Sequence, residues 1–382
     1  MRQLAPGGNP IALPILERIQ ERYRNRYADA CLDLNQIRNL GTHNSYHIRP
    51  RPAFFALLQA LVPEAIAWDY ANLPLDEQFE NQGVRQIELD VFADPAGGLF
   101  ALRPALGFVQ DPIESPDPEM YLPGLKVLHV QEVDFESTCL TFVDCLLVVK
   151  SWSDAHPRHL PLTILVELKD DVIPDPFNLN FAIPVPFGPA ELDTLDAEIR
   201  SVFPPSQLLT PDDVRLPGQT LEASVLGAGW PLLGEARGLI MFAMDNGGSL
   251  RSDYLVGRPN LEGRVLFTNG VPGTPDAAFV KRNDPIGALA EIQGLVKQGY
   301  LVRTRADADT VEGRTGDTTR RDAALASGAH FVSSDFPVPN PAFGTGYQVQ
   351  IPGGAPSGCN PLTAPPGCRS VALEPNGGLP AR

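Results

Sequence analysis

Residues 40–47 bring together side chains that could do chemistry: two histidines, an asparagine and two aliphatic hydroxyls. They follow a short apolar run, residues 37–40, which predicts a β-strand. Burying this many polar groups at a strand end is costly, so they would make a poor core. Because functional side chains concentrate in loops that a rigid scaffold positions, we interpret this turn as part of a site.

Reactive side chains also end the next three predicted strands. In chain order the four groups are His43 with Asn44, Glu88 with Asp90, His129, and Glu167 with Lys169. Successive groups lie about 40 residues apart, roughly the length of one strand–helix unit with its loop. Residues two apart on a strand point the same way, so Glu88 and Asp90 share a face, and so do Glu167 and Lys169. Because parallel barrel strands end on one face, we expect all four groups to meet there.

Metal-assisted acid–base catalysis is the chemistry that these groups support together. Three carboxylates and an amide oxygen would repel one another unless a hard cation lay among them, and oxygen ligands favour Ca²⁺ or Mg²⁺. Two histidines beside the cation form an acid/base pair that suits in-line displacement at phosphorus. Taken singly, each group has an ordinary explanation, such as a solvated strand face or a core histidine. Their occurrence at four successive strand ends favours a site.

The elements that must position these groups predict an α/β fold, a (β/α)8 TIM barrel with irregularities allowed. Predicted strands cover residues 37–40, 84–92, 126–130, 162–170, 238–244, 264–268, 300–304 and 330–334. Predicted helices cover residues 11–30, 52–67, 75–82, 138–152, 190–203, 286–297 and 318–327. The alternative is an open doubly wound sheet, but no glycine-rich phosphate loop follows the first strand. We expect one catalytic domain over residues 1–340, with a long insertion after the fourth strand, and a Pro/Gly-rich C-terminal extension over residues 341–382.

Four ordered blocks resemble the PLC-like phosphodiesterase superfamily of TIM barrels. Within it they most resemble the bacterial calcium-dependent phosphatidylinositol-specific phospholipase C family. Residues 40–46 (LGTHNSY) are similar to the superfamily's THNSY block and residues 86–91 (QIELDV) to its ELDV block. Residues 127–129 (VLH) are similar to the second histidine block, and residues 166–170 (VELKD) to the fourth-strand acidic block. The resemblance runs from about residue 36 to residue 337 and is loose after residue 171.

The resemblance implies a site and a reaction. It implies a Ca²⁺ ion held by Asn44, Glu88, Asp90 and Glu167, with His43 and His129 as the catalytic histidines. An inositol hydroxyl would attack the phosphodiester of phosphatidylinositol, releasing diacylglycerol and a cyclic inositol phosphate that can then be hydrolysed. We add Lys169 and Arg303 as candidates for headgroup or phosphate contact, with ordinary rim charges as the equal alternative. Asp335 resembles the closing block of glycerophosphodiesterases, and we assign it no role.

Two other functions stay open at this point. A glycerophosphodiester phosphodiesterase or a sphingomyelinase D-like lipase would use the same barrel and metal. Choline, glycerol or ceramide among the products would distinguish them. A non-catalytic, calcium-dependent binder of lipid headgroups would show no turnover. The paired histidines argue against the binder, because binding alone needs no acid/base pair.

Composition limits the partners and the compartment. The net charge of −16 argues against nucleic acid as a partner and against steady electrostatic adhesion to anionic membranes. No apolar run approaches the roughly 20 residues of a membrane-spanning helix, and the first ten residues lack the layout of a signal peptide. Cys359 and Cys368 predict a disulfide in the Pro/Gly-rich tail, while one pair among Cys31, Cys139 and Cys145 stays open. Because disulfides imply an oxidising compartment, we expect a secreted monomer whose leader is absent from this chain.

The insertion after the fourth predicted strand is apolar and stiffened by prolines. It begins at residues 173–177 (IPDPF) and continues at residues 181–187 (FAIPVPF). Since it would lie at the catalytic face, we expect transient membrane contact through Phe177, Phe181, Ile183 and Phe187. The alternative is that the insertion packs over the barrel as a cover, because exposed apolar patches of this size are uncommon.

Overall fold

The computed structural model describes residues 25–353 and 356–374 of the 382-residue chain. Residues 25–31 are helical, and the rest of the helix predicted at 11–30 lies outside the described residues. Within the described ranges, no helix combines the length and the apolar character that crossing a membrane requires.

Eleven strands and, apart from the helical residues 25–31, eleven α-helices are present in the part of the chain that the structure describes. The strands are β1 (Ile37–Thr42), β2 (Gln86–Phe92), β3 (Lys126–Val127), β4 (Leu162–Leu168), β5 (Leu208–Leu209), β6 (Ile240–Met244), β7 (Leu266–Phe267), β8 (Phe279–Lys281), β9 (Leu301–Arg305), β10 (Phe331–Ser334) and β11 (Ser357–Cys359). The helices are α1 (Pro52–Leu61), α2 (Leu75–Asn81), α3 (Phe142–Ala155), α4 (Pro189–Val202), α5 (Pro211–Val214), α6 (Leu221–Gly227), α7 (Leu233–Ala236), α8 (Gly248–Tyr254), α9 (Leu289–Gln298), α10 (Val311–Thr315) and α11 (Thr319–Ala326). Short 3₁₀ helices cover Leu34–Gln36, Pro63–Trp68, Pro104–Val109, Pro118–Tyr121, Pro205–Gln207 and Ser370–Ala372.

Eight parallel strands form the barrel. The sheet runs in the order β6-β4-β2-β1-β10-β9-β8. The remaining edge of β6 is shared by β5, which pairs with its first two residues, and by β7, which pairs with the next two. A single parallel bridge between Asn269, just beyond β7, and Phe279 of β8 closes the ring. β1, β2 and β6 are buried along their whole length, since helices cover the outside and side chains fill the inside. The predicted (β/α)8 fold is confirmed.

Two strands of the barrel ring differ from the prediction, and β5 and β11 form in segments for which no strand was predicted. Residues 126–130 do not form a barrel strand, because β3 is two residues long and runs antiparallel to β2, which pairs directly with β4. The chain turns back at Val130, whose backbone exchanges both hydrogen bonds with Asp134. The missing barrel strand is β8, which has only three residues and therefore leaves no periodic pattern in the sequence.

The insertion after β4 combines buried and exposed apolar residues. Phe187 is buried in the main core, so the expected lipid contact of this residue is wrong, and its backbone N–H donates to Asp170. Phe181 is half-buried against a second core cluster. Phe177 and Ile183 are exposed.

The C-terminal segment returns to the start of the barrel. β11 pairs antiparallel with β1, and the predicted disulfide between Cys359 and Cys368 follows it. Glu374 forms a buried ion pair with Arg85, the residue directly before β2. The division into a barrel over 1–340 and an extension over 341–382 stays a prediction. The second disulfide joins Cys139 to Cys145 at the start of α3, and Cys31 is free.

Candidate active site

The turn after β1 leaves strand geometry where its functional side chains begin. β1 ends at Thr42, and Asn44 has a φ of 39°, a left-handed conformation that asparagine adopts more readily than most residues. Adjacent residues of a regular strand face opposite ways, so this turn is what allows His43 and Asn44 to serve one site. Ser45 fixes the turn to β2: its backbone N–H donates to the carbonyl of Glu88 over 2.9 Å, and its Oγ accepts from the N–H of Glu88 over 2.8 Å.

Three carboxylates converge on β2 and β4. Glu88 and Asp90 lie two positions apart on β2 and so share a face. Asp90 is the register partner of Glu167 on the neighbouring strand, β4. One ligand oxygen from each of the three lies within 4.8 Å of the others. Glu88 and Asp90 are buried, so their mutual repulsion is little screened by water.

Burial and repulsion act on the ionisation of this cluster. Burial raises the pKa of Asp90 well above its usual value, and the charge of Glu167 adds to the effect. Burial raises the pKa of Glu88 to about 7, although the charge of Arg303 opposes the change. Lys169 Nζ lies 3.3 Å from Glu167 Oε1 and 3.6 Å from Asp90 Oδ2. Burial lowers the pKa of Lys169, but these two carboxylates outweigh it and hold that pKa above its usual value.

The donor atoms of this cluster fit the predicted cation. In the described part of the chain, neither oxygen of Asp90 nor Oδ1 of Asn44 has a hydrogen-bond partner, although both side chains are buried. Orphaned buried acceptors are costly, and a cation would satisfy them. The set consists of carboxylate and amide oxygens, which is the chemistry that Ca²⁺ prefers.

His43 lies between an acidic and a basic partner. Its Nδ1 is 2.8 Å from Asp335 Oδ1, its Nε2 is 3.2 Å from Arg305 Nη1, and Arg305 also donates to Asp335 over 3.1 Å. A carboxylate only accepts and a guanidinium only donates, so Nδ1 carries the proton and Nε2 accepts. Burial and the Arg305 charge lower the pKa of His43 to about 3, against the opposing effect of Asp335, so the ring is neutral.

His129 has a carboxylate partner of its own. It follows β3 in the turn that ends at Asp134, and its Nδ1 lies 2.7 Å from Asp134 Oδ2. The ring is partly exposed and meets Trp68 edge to face, with centroids 5.9 Å apart. His47 also binds Asp134, through Nε2 at 2.9 Å from each oxygen. Burial raises the pKa of Asp134, but these two histidines outweigh it and hold that pKa below its usual value.

The two histidine sites are joined by aromatic contacts. Tyr70 stacks on His47 with ring centroids 4.3 Å apart and lies 6.4 Å from the ring of His43. The rings of His47 and His129 meet edge to face at 5.9 Å. The structure thus brings the predicted histidines to neighbouring positions on one face of the barrel.

Arg303 and Lys169 have different surroundings. Arg303 is buried inside the barrel, where its guanidinium donates to Glu88, to Ser333 over 3.0 Å and to Asn283 over 2.7 Å. Lys169 is partly exposed beside the carboxylates. Contact of either residue with a headgroup stays a prediction.

Several residues at this face have no role in the sequence prediction. Asp134 lies five residues after His129 in a tight turn, a position that no periodic pattern indicates. Arg305 lies two residues after Arg303 on β9, so strand alternation could have indicated it. The sequence indicated Asp335 only through the resemblance to the closing block of glycerophosphodiesterases. Its hydrogen-bond partner, His43, is 292 residues away in the sequence.

Among the solved structures that are similar to this chain are phosphodiester-cleaving enzymes. A calcium-dependent phosphoinositol-specific phospholipase C from a Gram-negative bacterium, Pseudomonas sp., described as a myoinositol complex, is 17% identical, with a TM-score of 0.50; the match covers 86% of this chain and 96% of that chain. A calcium-dependent phosphatidylinositol-specific phospholipase C from Streptomyces antibioticus is 17% identical over 82% of this chain and 97% of that chain, with a TM-score of 0.49. A glycerophosphoryl diester phosphodiesterase from Parabacteroides distasonis is 11% identical over 83% and 88% of the two chains, with a TM-score of 0.31. No curated protein sequence gives a significant match.

The barrel and its acidic site define a metal-dependent class of enzyme. A family model described as phosphoinositide phospholipase C, Ca²⁺-dependent, matches residues 32–361. This chain belongs to that family. The predicted family, the enzyme class and Ca²⁺ as the cofactor are confirmed, and the substrate is a phospholipid. The roles of individual residues stay predictions.

Proposed function

We propose that the protein cleaves phosphatidylinositol to diacylglycerol and a cyclic inositol phosphate. One observation carries the proposal: two histidines, each with Nδ1 bound to a carboxylate, lie at the same face as an acidic cluster with orphaned oxygens. In both rings this leaves Nε2 as the nitrogen for proton transfer. A binder without turnover would need neither arrangement.

The residues around the cation have separate tasks in this proposal. Asn44, Glu88, Asp90 and Glu167 would hold Ca²⁺. When bound, the ion offsets charge on the phosphoryl oxygens and acidifies the attacking hydroxyl. Arg303 donates to Oε2 of Glu88 and so holds the carboxylate that would serve as a ligand in a fixed orientation. The side chain of Lys169 is partly exposed and lies beside Glu167 of the acidic cluster, so its ammonium group would contact the phosphate.

The proton transfers follow from the two tautomers. His43 is neutral and accepts the proton of the inositol hydroxyl at Nε2 while that oxygen bonds to phosphorus. His129, protonated at the start, donates its Nε2 proton to the diacylglycerol oxygen as the bond from phosphorus to that oxygen breaks. The inositol hydroxyl must replace Arg305 at Nε2 of His43. Loss of this contact frees the guanidinium of Arg305 to donate to a phosphoryl oxygen. Hydrolysis of the cyclic product reverses both roles.

Phosphorus NMR of products from phosphatidylinositol vesicles tests the proposal. We expect a cyclic inositol phosphate with Ca²⁺ and no product in excess chelator. His43→Ala and His129→Ala should each lower kcat by about 10²–10⁴-fold with Ca²⁺ binding unchanged by calorimetry, and Asp90→Asn should weaken Ca²⁺ binding. The control is His156→Ala, a partly exposed histidine that binds the carbonyl of Trp152, and it should retain activity. Full turnover in chelator, or glycerol phosphate as the product, would contradict the proposal.

We also propose that the protein contacts the membrane through an apolar rim. The apolar rim consists of Phe108, Ile113, Phe177 and Ile183, which are 51%, 42%, 49% and 68% exposed. These residues lie on the loops that follow β2 and β4, and the rings of Phe108 and Phe177 meet at 5.1 Å. Because the net charge of −16 opposes anionic surfaces, apolar insertion is the available mode of attachment.

Phe177→Ser tests the apolar rim. Since burial of a phenylalanine in lipid contributes about 1.5–3 kcal/mol, we expect activity on vesicles to fall by roughly tenfold or more. Activity on a water-soluble inositol phosphodiester should persist. The control is Leu226→Ser: Leu226 is 40% exposed but lies beside Gly299, just before β9, at the opposite end of the barrel. Equal loss on both substrates would contradict membrane contact.

Secretion and a monomeric state are part of the same proposal. The two disulfides support an oxidising compartment. Light scattering of the calcium-loaded protein would test the monomer, and detection of the protein in the culture medium would test secretion.

A further inference from the structure

Asp134 is a buried carboxylate shared by two imidazoles. Its oxygens lie 2.7 Å from His129 Nδ1 and 2.9 Å from His47 Nε2. His129 is partly exposed at the catalytic face, whereas His47 and Asp134 are fully buried. His47 therefore cannot touch the substrate, and whatever it contributes must pass through Asp134.

The position of His47 is fixed by its backbone and by its ring. Its backbone N–H donates to the carbonyl of Asn44 over 2.8 Å, and its carbonyl accepts from the N–H of Asn72 over 2.9 Å. A β-bridge also joins it to Ser137, beyond the turn that carries Asp134. Tyr70 covers one face of the ring. An imidazole held this firmly presents its Nε2 to the carboxylate at a constant distance.

The protons in this group can be placed from donor and acceptor rules. A carboxylate has no hydrogen to give, so both histidines donate to Asp134. His47 therefore carries its proton on Nε2, and its Nδ1 has no partner among the described residues. His129 carries a proton on Nδ1, which leaves Nε2 to face the reacting atoms.

We propose that His47 is a positioning residue that sets the tautomer and the proton affinity of His129 through Asp134. The inference rests on the proposed acid/base role of His129. A carboxylate that accepts from two donors offers less negative charge to each of them. By taking part of that charge, His47 lets His129 release its proton to the leaving oxygen more readily than a carboxylate with one donor would.

Other ionisable groups surround these three residues. They are His43 and Tyr46 in the turn after β1, Tyr70 before α2, Asp90 of β2, Glu132 in the turn after β3, Glu167 of β4, and Arg305 and Asp335 at the ends of β9 and β10. Burial raises the pKa of Tyr46 and of Tyr70, so both phenols are neutral near pH 7. A His47 variant retains all of these residues, although it removes the effect of His47 on the pKa of Asp335.

The experiment compares His47→Phe with His47→Gln in the calcium-loaded, full-length protein. The phenylalanine removes the donor, whereas the glutamine amide places an N–H near the position of Nε2. Imidazole ¹⁵N NMR reports the pKa and tautomer of His129 directly, and kcat/KM against pH is measured on a water-soluble inositol phosphodiester. We expect the pKa of His129 to rise by about one unit in His47→Phe, because Asp134 is left with one donor. The alkaline limb of the pH profile should move up equally, and His47→Gln should restore both.

A matched control comes from His159, another buried histidine, which binds Ser153 and the carbonyl of Leu160. His159→Gln should leave the titration of His129 unchanged. If His47→Phe does not fold, His47→Asn replaces it, since the shorter amide does not reach Asp134, and the same rise is expected.

Three results would overturn the inference. The first is an unchanged pKa and tautomer of His129 in His47→Phe or His47→Asn, which would leave His47 a purely structural residue. The second is a shift in His47→Gln as large as that in His47→Phe. The third is a shift in the control variant. Full activity of His129→Ala would instead refute the acid/base proposal, while the NMR titration would still report the coupling between His47 and His129.

Discussion

At the scale of single residues, the inside of the barrel is a connected set of polar side chains. Ser333 donates to Oε1 of Gln86 and accepts from Arg303 Nε, and Arg303 in turn donates to Glu88 of the acidic cluster. Gln86 has room for this only because Gly41, its register partner on β1, has no side chain. The glycine in the first motif thus supports the position of a proposed metal ligand.

Gly41→Ala tests this connection. An added Cβ would lie 2.0 Å from Gln86 Oε1 and 2.8 Å from its Cδ, so Gln86 would have to move and lose Ser333. We expect the free energy of unfolding, measured in urea, to fall by about 1–3 kcal/mol. The double variant with Gln86→Ala should lose less free energy of unfolding than the two single variants together, because the clash with Oε1 and Cδ of Gln86 is then absent. Strict additivity would show that Gln86 does not receive the strain.

Which site residues the sequence could indicate depends on how each one is positioned. Glu88, Asp90 and Glu167 lie on long regular strands, where alternation and spacing specify the face. His47 and Asp134 could not be found this way, because a turn and a two-residue antiparallel strand bring them together. Arg303 was predicted to lie near the substrate, but its buried contact with Glu88 depends on β9 and β2, which are not neighbours in the sheet, facing each other inside the barrel.

At the scale of elements, the number of barrel strands was predicted correctly although one member was wrong. Residues 126–130 contain the apolar residues of a predicted strand, yet only β3 forms there, and it leaves the ring and pairs with β2. β8 joins the ring with three residues, because Asn269 and β9 supply its partners. Pairing partners far along the chain decide whether such short segments become strands, and a local pattern does not contain them.

His129 shows why the error had little effect on the predicted site. It was placed at the end of a parallel strand, whereas it lies in the turn after an antiparallel one. Both routes start beside β2 and reach the same edge of the sheet. His129 therefore lies at the predicted face of the barrel. Asp134, which orients its ring, was not part of the prediction.

At the scale of the whole molecule, buried neutral histidines make stability depend on pH. Burial lowers the pKa of His330 to about 4, from a usual value of 6.5, and its ring bridges the backbone groups of Val302 and Asn35. A lowered folded-state pKa means that only the unfolded chain binds the proton between pH 6.5 and about 4. The contribution is complete above pH 6.5 and is lost as the pH falls through this window.

His330→Gln tests this dependence by comparison with the unchanged protein. The variant should be the less stable one at pH 7, because it loses hydrogen bonds of a buried ring. The difference in the free energy of unfolding should shrink by about 1.4 kcal/mol per pH unit between pH 6.5 and 4, since only the unchanged protein has this proton linkage. Urea unfolding at several pH values measures it, and the carboxylates cancel in the comparison. A difference that is constant with pH would show that His330 is not neutral in the folded state.

The pairing of β1 with β11, and of Arg85 with Glu374, also bears on when the protein can finish folding. Arg85 is made 289 residues before the carboxylate that it needs. At ~5–20 residues per second, synthesis leaves this guanidinium without its partner for roughly 15–60 s. During that interval the amino half of β1 also lacks β11 beside it. Domains commonly fold from the N-terminus as they are made, but here β1 completes its contacts only when residues 357–359 have left the ribosome.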